Sequence, residues 1–191
     1  TVNRHISILM VRQKLKSVFN IPNVTIFFAV ISLFAVFPLF SIAGQFQVVS
    51  VYDGDTVKVT ENGKKITIRL VGIDDPEMYH KKHLPGQPFC AKTKYHLSSL
   101  ILNKVIHIKI YGKDESGTFL GEIFANNVNI NIEMINAGLA EVHRGPPVQG
   151  HEMTGYRAAE KKAKEDTKGM WELRDQYFSP WDWREMYNIR D

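Results

Sequence analysis

Apolar and polar residues alternate along two neighbouring stretches of the chain, around 57–59 and 66–70. A period of two is typical of a β-strand that buries one face. The apolar positions are Val57, Val59, Ile66, Ile68 and Leu70. Asn62 and Gly63 stand between the two stretches, and Asn-Gly is the strongest short hairpin signal because both turn positions need a positive φ. The sequence therefore predicts a β-hairpin.

The same patterns predict three further strands and three helices. The further strands are expected at 45–52, 105–111 and 120–125. The helices are expected at 89–102, 128–137 and 153–168, the second after a short strand. Five short strands with a helix between the third and the fourth are the order of an OB-fold barrel. We therefore expect an α+β, mainly β fold: a five-stranded OB-fold barrel with about three helices, preceded by a hydrophobic N-terminal helix.

The first 43 residues differ from the rest in composition and predict export. Residues 1–20 contain four basic and no acidic residues, and 24–40 is an uncharged, almost wholly apolar run of 17 residues. In Ser41-Ile42-Ala43, which precedes Gly44, Ser41 and Ala43 then place small residues at the two positions that a signal peptidase reads. The run also reaches the lower limit for a membrane span. Segment 1–43 is therefore predicted to be a signal peptide, the favoured interpretation, or an uncleaved membrane anchor.

The domain at 44–191 carries no excess of positive charge. Segment 1–43 contains four Lys or Arg residues and no Asp or Glu. It therefore accounts for the whole net charge of +4, and 44–191 is formally neutral. The overall charge thus gives no argument for a nucleic-acid partner, and attraction to phosphate would require local placement of charge or a bound metal. The single cysteine, Cys90, allows no intramolecular disulfide. The domain is therefore expected to be secreted, periplasmic or membrane-anchored, and to be held by its core.

Acidic residues cluster at both outer ends of the predicted hairpin. They are Asp53 and Asp55 before it and Asp74, Asp75 and Glu77 after it, with Arg69 on the return strand. A hairpin brings its outer ends together, and crowded carboxylates are usually stabilised by a divalent cation. Asp-Gly-Asp and Asp-Asp-Pro are also ordinary turn sequences. Turn formation alone therefore stands as the alternative interpretation.

The order of these motifs resembles the staphylococcal nuclease (thermonuclease) family. The resemblance rests on Asp-Gly-Asp-Thr-Val from 53, a hairpin, Arg-Leu at 69–70 and Ile-Asp-Asp-Pro-Glu from 73, and it extends over roughly 48–171. Downstream it includes Gly-Glu-Ile-Phe from 121 and Lys-Gly-Met-Trp from 168. The resemblance implies an OB-fold enzyme that cuts DNA and RNA with Ca²⁺.

The resemblance also implies a role for each matching residue. Asp55 and Asp74 match the family's two Ca²⁺ ligands, and Asp75 stands where a backbone carbonyl is the third. Glu77 matches the catalytic glutamate that orients or deprotonates the attacking water. Arg69 matches the first of two catalytic arginines that bind the phosphate.

One position departs from the family's pattern. Thr118 stands where the second arginine is expected, in the turn 114–118, and Glu115 and Ser116 replace a basic and an aromatic residue. Losing a charged donor to the transition state costs on the order of 3–4 kcal/mol. Arg144 and Lys113 are candidates to supply the missing positive charge to the substrate.

The histidines and tryptophans outside the motif are interpreted without a catalytic role. His80 and His83 lie in a basic loop, where a solvated loop is favoured over a metal pair. Trp171, Trp181 and Trp183 lie near the C-terminus, where they are expected to pack on the core rather than to stack on bases.

Two hypotheses of different classes follow. The favoured one is an exported, monomeric, Ca²⁺-dependent nuclease acting on DNA and RNA, slowed by Thr118. The alternative is a non-catalytic OB-fold module that binds nucleic acid or a protein in the cell envelope. Retention of Asp55, Asp74, Glu77 and Arg69 favours the enzyme, while Thr118 and the neutral charge of 44–191 favour the module.

Overall fold

Eight strands and four α-helices follow one another in the computed structural model, which describes residues 45–78 and 86–188. The strands are β1 (Gln45–Val51), β2 (Thr56–Glu61), β3 (Lys64–Leu70), β4 (Ile73–Asp74), β5 (Val105–Lys113), β6 (Phe119–Ala125), β7 (Val128–Asn129) and β8 (Glu141–Val142). The helices are α1 (Cys90–Ile101), α2 (Ile130–Asn136), α3 (Thr154–Glu165) and α4 (Pro180–Tyr187), with a 3₁₀ helix at Gly169–Gln176. The hydrophobic helix predicted in segment 1–43 and the histidine pair at 80 and 83 lie outside the described residues.

The five longer strands close into a barrel. Their order is β3-β2-β1-β5-β6, and β3 also pairs in parallel with β6, with Ile68 opposite Phe119. That last pairing leaves neither β3 nor β6 as an open edge at this point of the sheet. The predicted OB-fold barrel is therefore confirmed, with α1 between its third and fourth long strands.

Side chains that alternate along the strands fill the barrel interior. Val57, Val59 and Ile68 of the hairpin have no exposed surface, and neither has Ile123 of β6. Helix α1 adds Leu97 and Ile101, and α2 adds Met134 and Ile135, all fully buried. Removing this apolar surface from water is the main contribution to the stability of the domain.

The hairpin has the predicted turn and register. Asn62 and Gly63 both have a positive φ, of 49° and 78°. Thr56 at the start of β2 lies opposite Arg69 near the end of β3, and Leu70 N donates to Asp55 O at 2.7 Å. The two outer ends of the hairpin therefore meet, and the acidic segments that flank it come together.

A buried asparagine connects the end of β3 to β6. Asn131, at the start of α2, donates through Nδ2 to Val71 O at 2.9 Å and to Gly121 O at 3.1 Å. Its Oδ1 accepts from Ile123 N at 3.0 Å. Since an unpaired buried amide is costly, these three bonds fix α2 against the segment that leads into β4.

The C-terminal part contains more regular structure than the sequence pattern predicts. Trp171 packs with Met170 and Tyr177 in a small second hydrophobic cluster, whereas Trp181 is 40% exposed on α4. The interpretation of the tryptophans as core residues therefore applies to Trp171 but not to Trp181. Within the described residues, no helix has both the length and the apolar character needed to cross a membrane.

Gly138 should tolerate a side chain less well than Gly63, although both have a positive φ. A Cβ on Gly138 would lie 2.1 Å from Lys168 O, while one on Gly63 would have no atom within 4 Å. We expect Gly138→Ala to lower the free energy of unfolding by roughly 2–4 kcal/mol, and Gly63→Ala by roughly 1 kcal/mol. Urea unfolding of both variants measures the difference. Equal losses would show that φ alone decides the cost.

Candidate functional site

Three carboxylates converge where the hairpin ends meet. Asp53, Asp55 and Asp75 each contribute an oxygen to a group whose atoms lie within 4.8 Å of one another. Asp55 and Asp75 are buried and Asp53 is half-buried. The backbone places Asp53 by a local turn, because its Oδ1 accepts from the N–H groups of Asp55 and Thr56 at 3.1 and 2.6 Å. The turn interpretation and the cluster interpretation therefore both hold for Asp53.

Gly54 allows the two acidic segments to approach this closely. Its N–H donates to Asp75 Oδ2 at 2.9 Å. A Cβ at this position would lie 2.5 Å from the same oxygen and 2.0 Å from Thr93 Cγ2. Any larger residue would therefore push Asp75 or helix α1 away, so the glycine of the Asp-Gly-Asp motif is required by space.

The cluster carries more negative charge than its burial favours. Burial raises the pKa of Asp55 well above its ordinary value, and the neighbouring Asp53 raises it further. Burial also raises the pKa of Asp75, with a further contribution from Asp55. A cation would relieve this repulsion, and carboxylate oxygens are the ligands that Ca²⁺ prefers. The donor set therefore fits a hard divalent ion.

Asp74 and Glu77 face the same region but are bound by an arginine. Arg184 of α4 donates through Nη1 and Nη2 to the two oxygens of Asp74, at 2.8 and 2.6 Å, and through Nη1 to Glu77 Oε1 at 2.5 Å. Burial lowers the pKa of Arg184, but its hydrogen bonds to Asp74 and Glu77 raise it above the ordinary value. The guanidinium is therefore charged and neutralises part of the site.

Arg69 lies between the acidic cluster and the β5–β6 turn. Its Nε is 4.0 Å from Asp55 Oδ1 and its Nη1 is 3.7 Å from Asp114 Oδ2. Asp114 also accepts from Thr118 N at 2.8 Å, which closes the turn. The turn in which a second arginine is expected at Thr118 thus offers Arg69 the carboxylate of Asp114.

A groove begins at Arg69 and continues along the end of β3. It has a volume of about 360 Å³ and is lined by the segment 69–73, by Asp114, Glu115 and Ser116, and by His143. Ligand sites in proteins usually measure about 300–1,000 Å³. The groove is therefore large enough for part of a ligand that reaches the carboxylates.

The two other predicted cations have partners away from the cluster. Arg144 lies 3.4 Å from Glu141 Oε1 and 3.3 Å from Asp182 Oδ2. Lys113 Nζ lies over the ring of Phe119, 4.4 Å from its centre. In this arrangement neither contacts Asp55 or Asp75, and the proposed substrate role of Arg144 and Lys113 stays a prediction.

A profile of the staphylococcal nuclease homologue family matches residues 67–173, which is more than half of the chain. The chain belongs to this family. The resemblance drawn from the motifs is therefore confirmed, and the matched residues include Arg69, Asp74, Asp75 and Glu77 of the site.

Several relatives of this nuclease homologue are named as endonucleases. An "Uncharacterized endonuclease" of Escherichia coli is 32% identical over 139 residues, which cover 72% of this chain and 83% of the relative. "Probable endonuclease LCL3" of Verticillium alfalfae is 35% identical over 130 residues, covering 64% of this chain and 45% of the relative. The protein of that name in Pyricularia oryzae is also 35% identical over 130 residues, which cover 64% of this chain and 49% of the relative. The chain thus spans about half the length of these fungal relatives.

Sequence reasoning missed Arg184 as a residue of the site. The signal that was available is local: Ser179 precedes Pro180, and Asp182 follows, which is typical of the first turn of a helix. The Ser179 side chain does accept from Asp182 N, at 3.0 Å. That signal predicts α4 and its boundaries, but it does not indicate that its arginine reaches Asp74.

Glu141, opposite Asp74 on the β4–β8 ladder, should make the stability of the fold depend on pH. Burial raises the pKa of Glu141 from 4.5 to about 7. The folded state therefore holds this proton more tightly than the unfolded chain does, so stability falls as pH rises from 4.5 to 7 and then levels off. We expect Glu141→Gln to remove a fall on the order of 2–3 kcal/mol.

Urea unfolding of the wild type and Glu141→Gln between pH 4.5 and 8 measures this effect. The exposed Glu165→Gln serves as the control for loss of an acidic group. Parallel stability curves for the wild type and Glu141→Gln would contradict the prediction.

Proposed function

We propose that this chain is a Ca²⁺-dependent phosphodiesterase that hydrolyses DNA and RNA. The observation that carries the proposal is the convergence of Asp53, Asp55 and Asp75 beside Arg69, with Glu77 on the adjoining segment. Membership of the nuclease homologue family and the endonuclease names of its relatives support the same reaction class.

Ca²⁺ would be held by the carboxylates at the hairpin ends. Asp55 and Asp75 supply buried oxygens and Asp53 a half-buried one. Asp74, the other ligand that the family resemblance implies, follows on β4 and is bound by Arg184. When bound, the ion would polarise the phosphoryl oxygen and stabilise the negative charge of the transition state.

Glu77 and Arg69 act on the water and the phosphate in this proposal. Glu77 accepts the proton of a water placed on the face of phosphorus opposite the leaving oxygen. Arg69 has a side chain that is 36% exposed and opens onto the groove, so its N–H donors can reach two non-bridging oxygens. The leaving oxygen must take its proton from solvent or from another group.

The groove suits a strand whose bases are unstacked. Its volume of about 360 Å³ is small for a duplex, and it is lined by His143 and by the largely apolar segment 70–73 at the end of β3. A nucleotide splayed from a single strand can enter such a space and be stacked on a ring. We therefore propose single-stranded DNA or RNA as the preferred substrate.

We further propose that the enzyme acts outside the cytoplasm. The basic start of the chain and the apolar run at 24–40 support export, with cleavage of segment 1–43 or its retention as an anchor.

A non-catalytic binding module is the second candidate. The observation that favours it is the acidic lining of the groove by Asp114 and Glu115, next to Thr118. These residues repel a phosphodiester where an arginine would attract it. A protein with this lining could bind a partner in the cell envelope without cutting nucleic acid.

The decisive assay is cleavage of single-stranded DNA by the 191-residue chain with added Ca²⁺. We expect cleavage that stops with a chelator and is abolished by Glu77→Gln, because the variant cannot accept the proton of water. Glu172→Gln, at an exposed position of the 3₁₀ helix, controls for the loss of an acidic group. If the wild type binds DNA but is as inert as Glu77→Gln, the chain is a binding module.

Restoring the missing arginine should speed the reaction. We expect Thr118→Arg to raise kcat by at least about tenfold, because a guanidinium at this turn adds a donor for the transition-state charge. Thr118→Gln adds a longer polar side chain without charge and should not raise kcat. Equal rates for the three proteins would mean that another cation already serves the phosphate.

A further inference from the structure

Arg184 joins the C-terminal helix to two carboxylates of the site that lie more than 100 positions earlier. Its guanidinium donates three hydrogen bonds, two to Asp74 and one to Glu77, at 2.5–2.8 Å. The residue is 9% exposed. Arg184 lies beyond the residues 67–173 that the family profile matches, so membership of the family does not assign it a role.

The segment before α4 is also fixed to Glu77. Gln87 accepts from Glu77 N through Oε1 at 2.9 Å and donates through Nε2 to Phe178 O at 2.6 Å. Gln87 is buried, and its own N–H donates to Glu77 O at 2.9 Å. The Gln87 side chain therefore binds both the backbone of Glu77 and the segment just before α4. These bonds restrict the position of α4 and hence of Arg184.

Arg184 divides the acidic residues of the site into two groups. Asp53, Asp55 and Asp75 converge on one another, whereas Asp74 and Glu77 are bridged by the guanidinium. A planar guanidinium can hold two carboxylates at fixed angles, which a single ammonium cannot do. The bridge thus sets the orientation of Glu77 relative to the cluster.

We propose that Arg184 is a positioning residue of the phosphodiesterase reaction, which orients Glu77 and restrains Asp74 from helix α4. This inference rests on the proposed function, since it assigns Glu77 the role of base. It makes the C-terminal helix part of the active site. Arg184 is not offered as the missing phosphate ligand, because its bonds are directed to carboxylates.

The proposal predicts opposite effects on metal binding and on turnover. Arg184→Gln leaves Asp74 without its cation, so Ca²⁺ should bind about threefold to tenfold more tightly. The same change releases Glu77, so kcat should fall roughly 10–100-fold while KM changes less than about threefold. Removing a merely structural ion pair would also free Asp74 for Ca²⁺, but it would leave kcat unchanged. The fall in kcat at a nearly constant KM is therefore the readout that identifies a positioning role.

The experiment uses the 191-residue chain and compares Arg184→Gln, Arg184→Lys and Arg157→Gln with the wild type. Arg157 is exposed on α3, so Arg157→Gln removes one positive charge without touching the site. Calorimetric titration gives Ca²⁺ affinity, and cleavage of a single-stranded oligonucleotide at saturating Ca²⁺ gives kcat and KM. Arg184→Lys keeps the charge, so we expect near wild-type Ca²⁺ affinity with kcat still about tenfold low or lower.

Two results would overturn the inference. One is a kcat of Arg184→Gln equal to that of Arg157→Gln; the other is weaker Ca²⁺ binding together with full recovery in Arg184→Lys. A wild type that binds Ca²⁺ but does not cleave would instead defeat the proposed function. In that case a Ca²⁺ affinity of Arg184→Gln equal to that of the wild type would still overturn the proposed restraint of Asp74, and a tighter affinity would support it.

Discussion

Repulsion among carboxylates is the constraint on which the site depends. The hairpin ends bring Asp53, Asp55 and Asp75 within 4.8 Å, and two of them are buried. Like charges at this distance in a buried place must be protonated or compensated. Arg69 compensates part of this charge at Asp55, and Arg184 compensates the neighbouring Asp74 and Glu77. What remains is a net negative centre that suits a divalent ion.

The barrel holds this unfavourable arrangement together. The closing pair of β3 with β6 fixes the end of the hairpin, and Leu70 N bonds to Asp55 O at 2.7 Å. Asn131 then anchors Val71, two residues before β4. Acidic residues on short loops are thus carried by strands that bury a continuous apolar core, and the core outweighs their repulsion.

Local patterns predicted what depends on local structure. Alternation at Val57, Val59 and Ile68 gave the hairpin, and Asn62-Gly63 gave its turn, because both are set by neighbouring residues. The predicted hairpin also brings its two outer ends together, so the proximity of Asp53 and Asp55 to Asp75 could be predicted as well. Arg184 and Asp74 are separated by 110 positions in the sequence, and no periodic pattern predicts their contact. Tertiary docking of α4 decides that contact, so the sequence pattern could predict the helix but not its partner.

The neutral charge of 44–191 makes local electrostatics decisive for the proposed reaction. Long-range attraction of a polyanion requires an excess of positive charge, which this domain lacks. The groove adds Asp114 and Glu115 beside Arg69, so its own residues attract a phosphate weakly. Under the proposed function, most of the attraction must then come from the bound ion. Binding of substrate and of Ca²⁺ should therefore be coupled more strongly here than in a family member that carries both arginines.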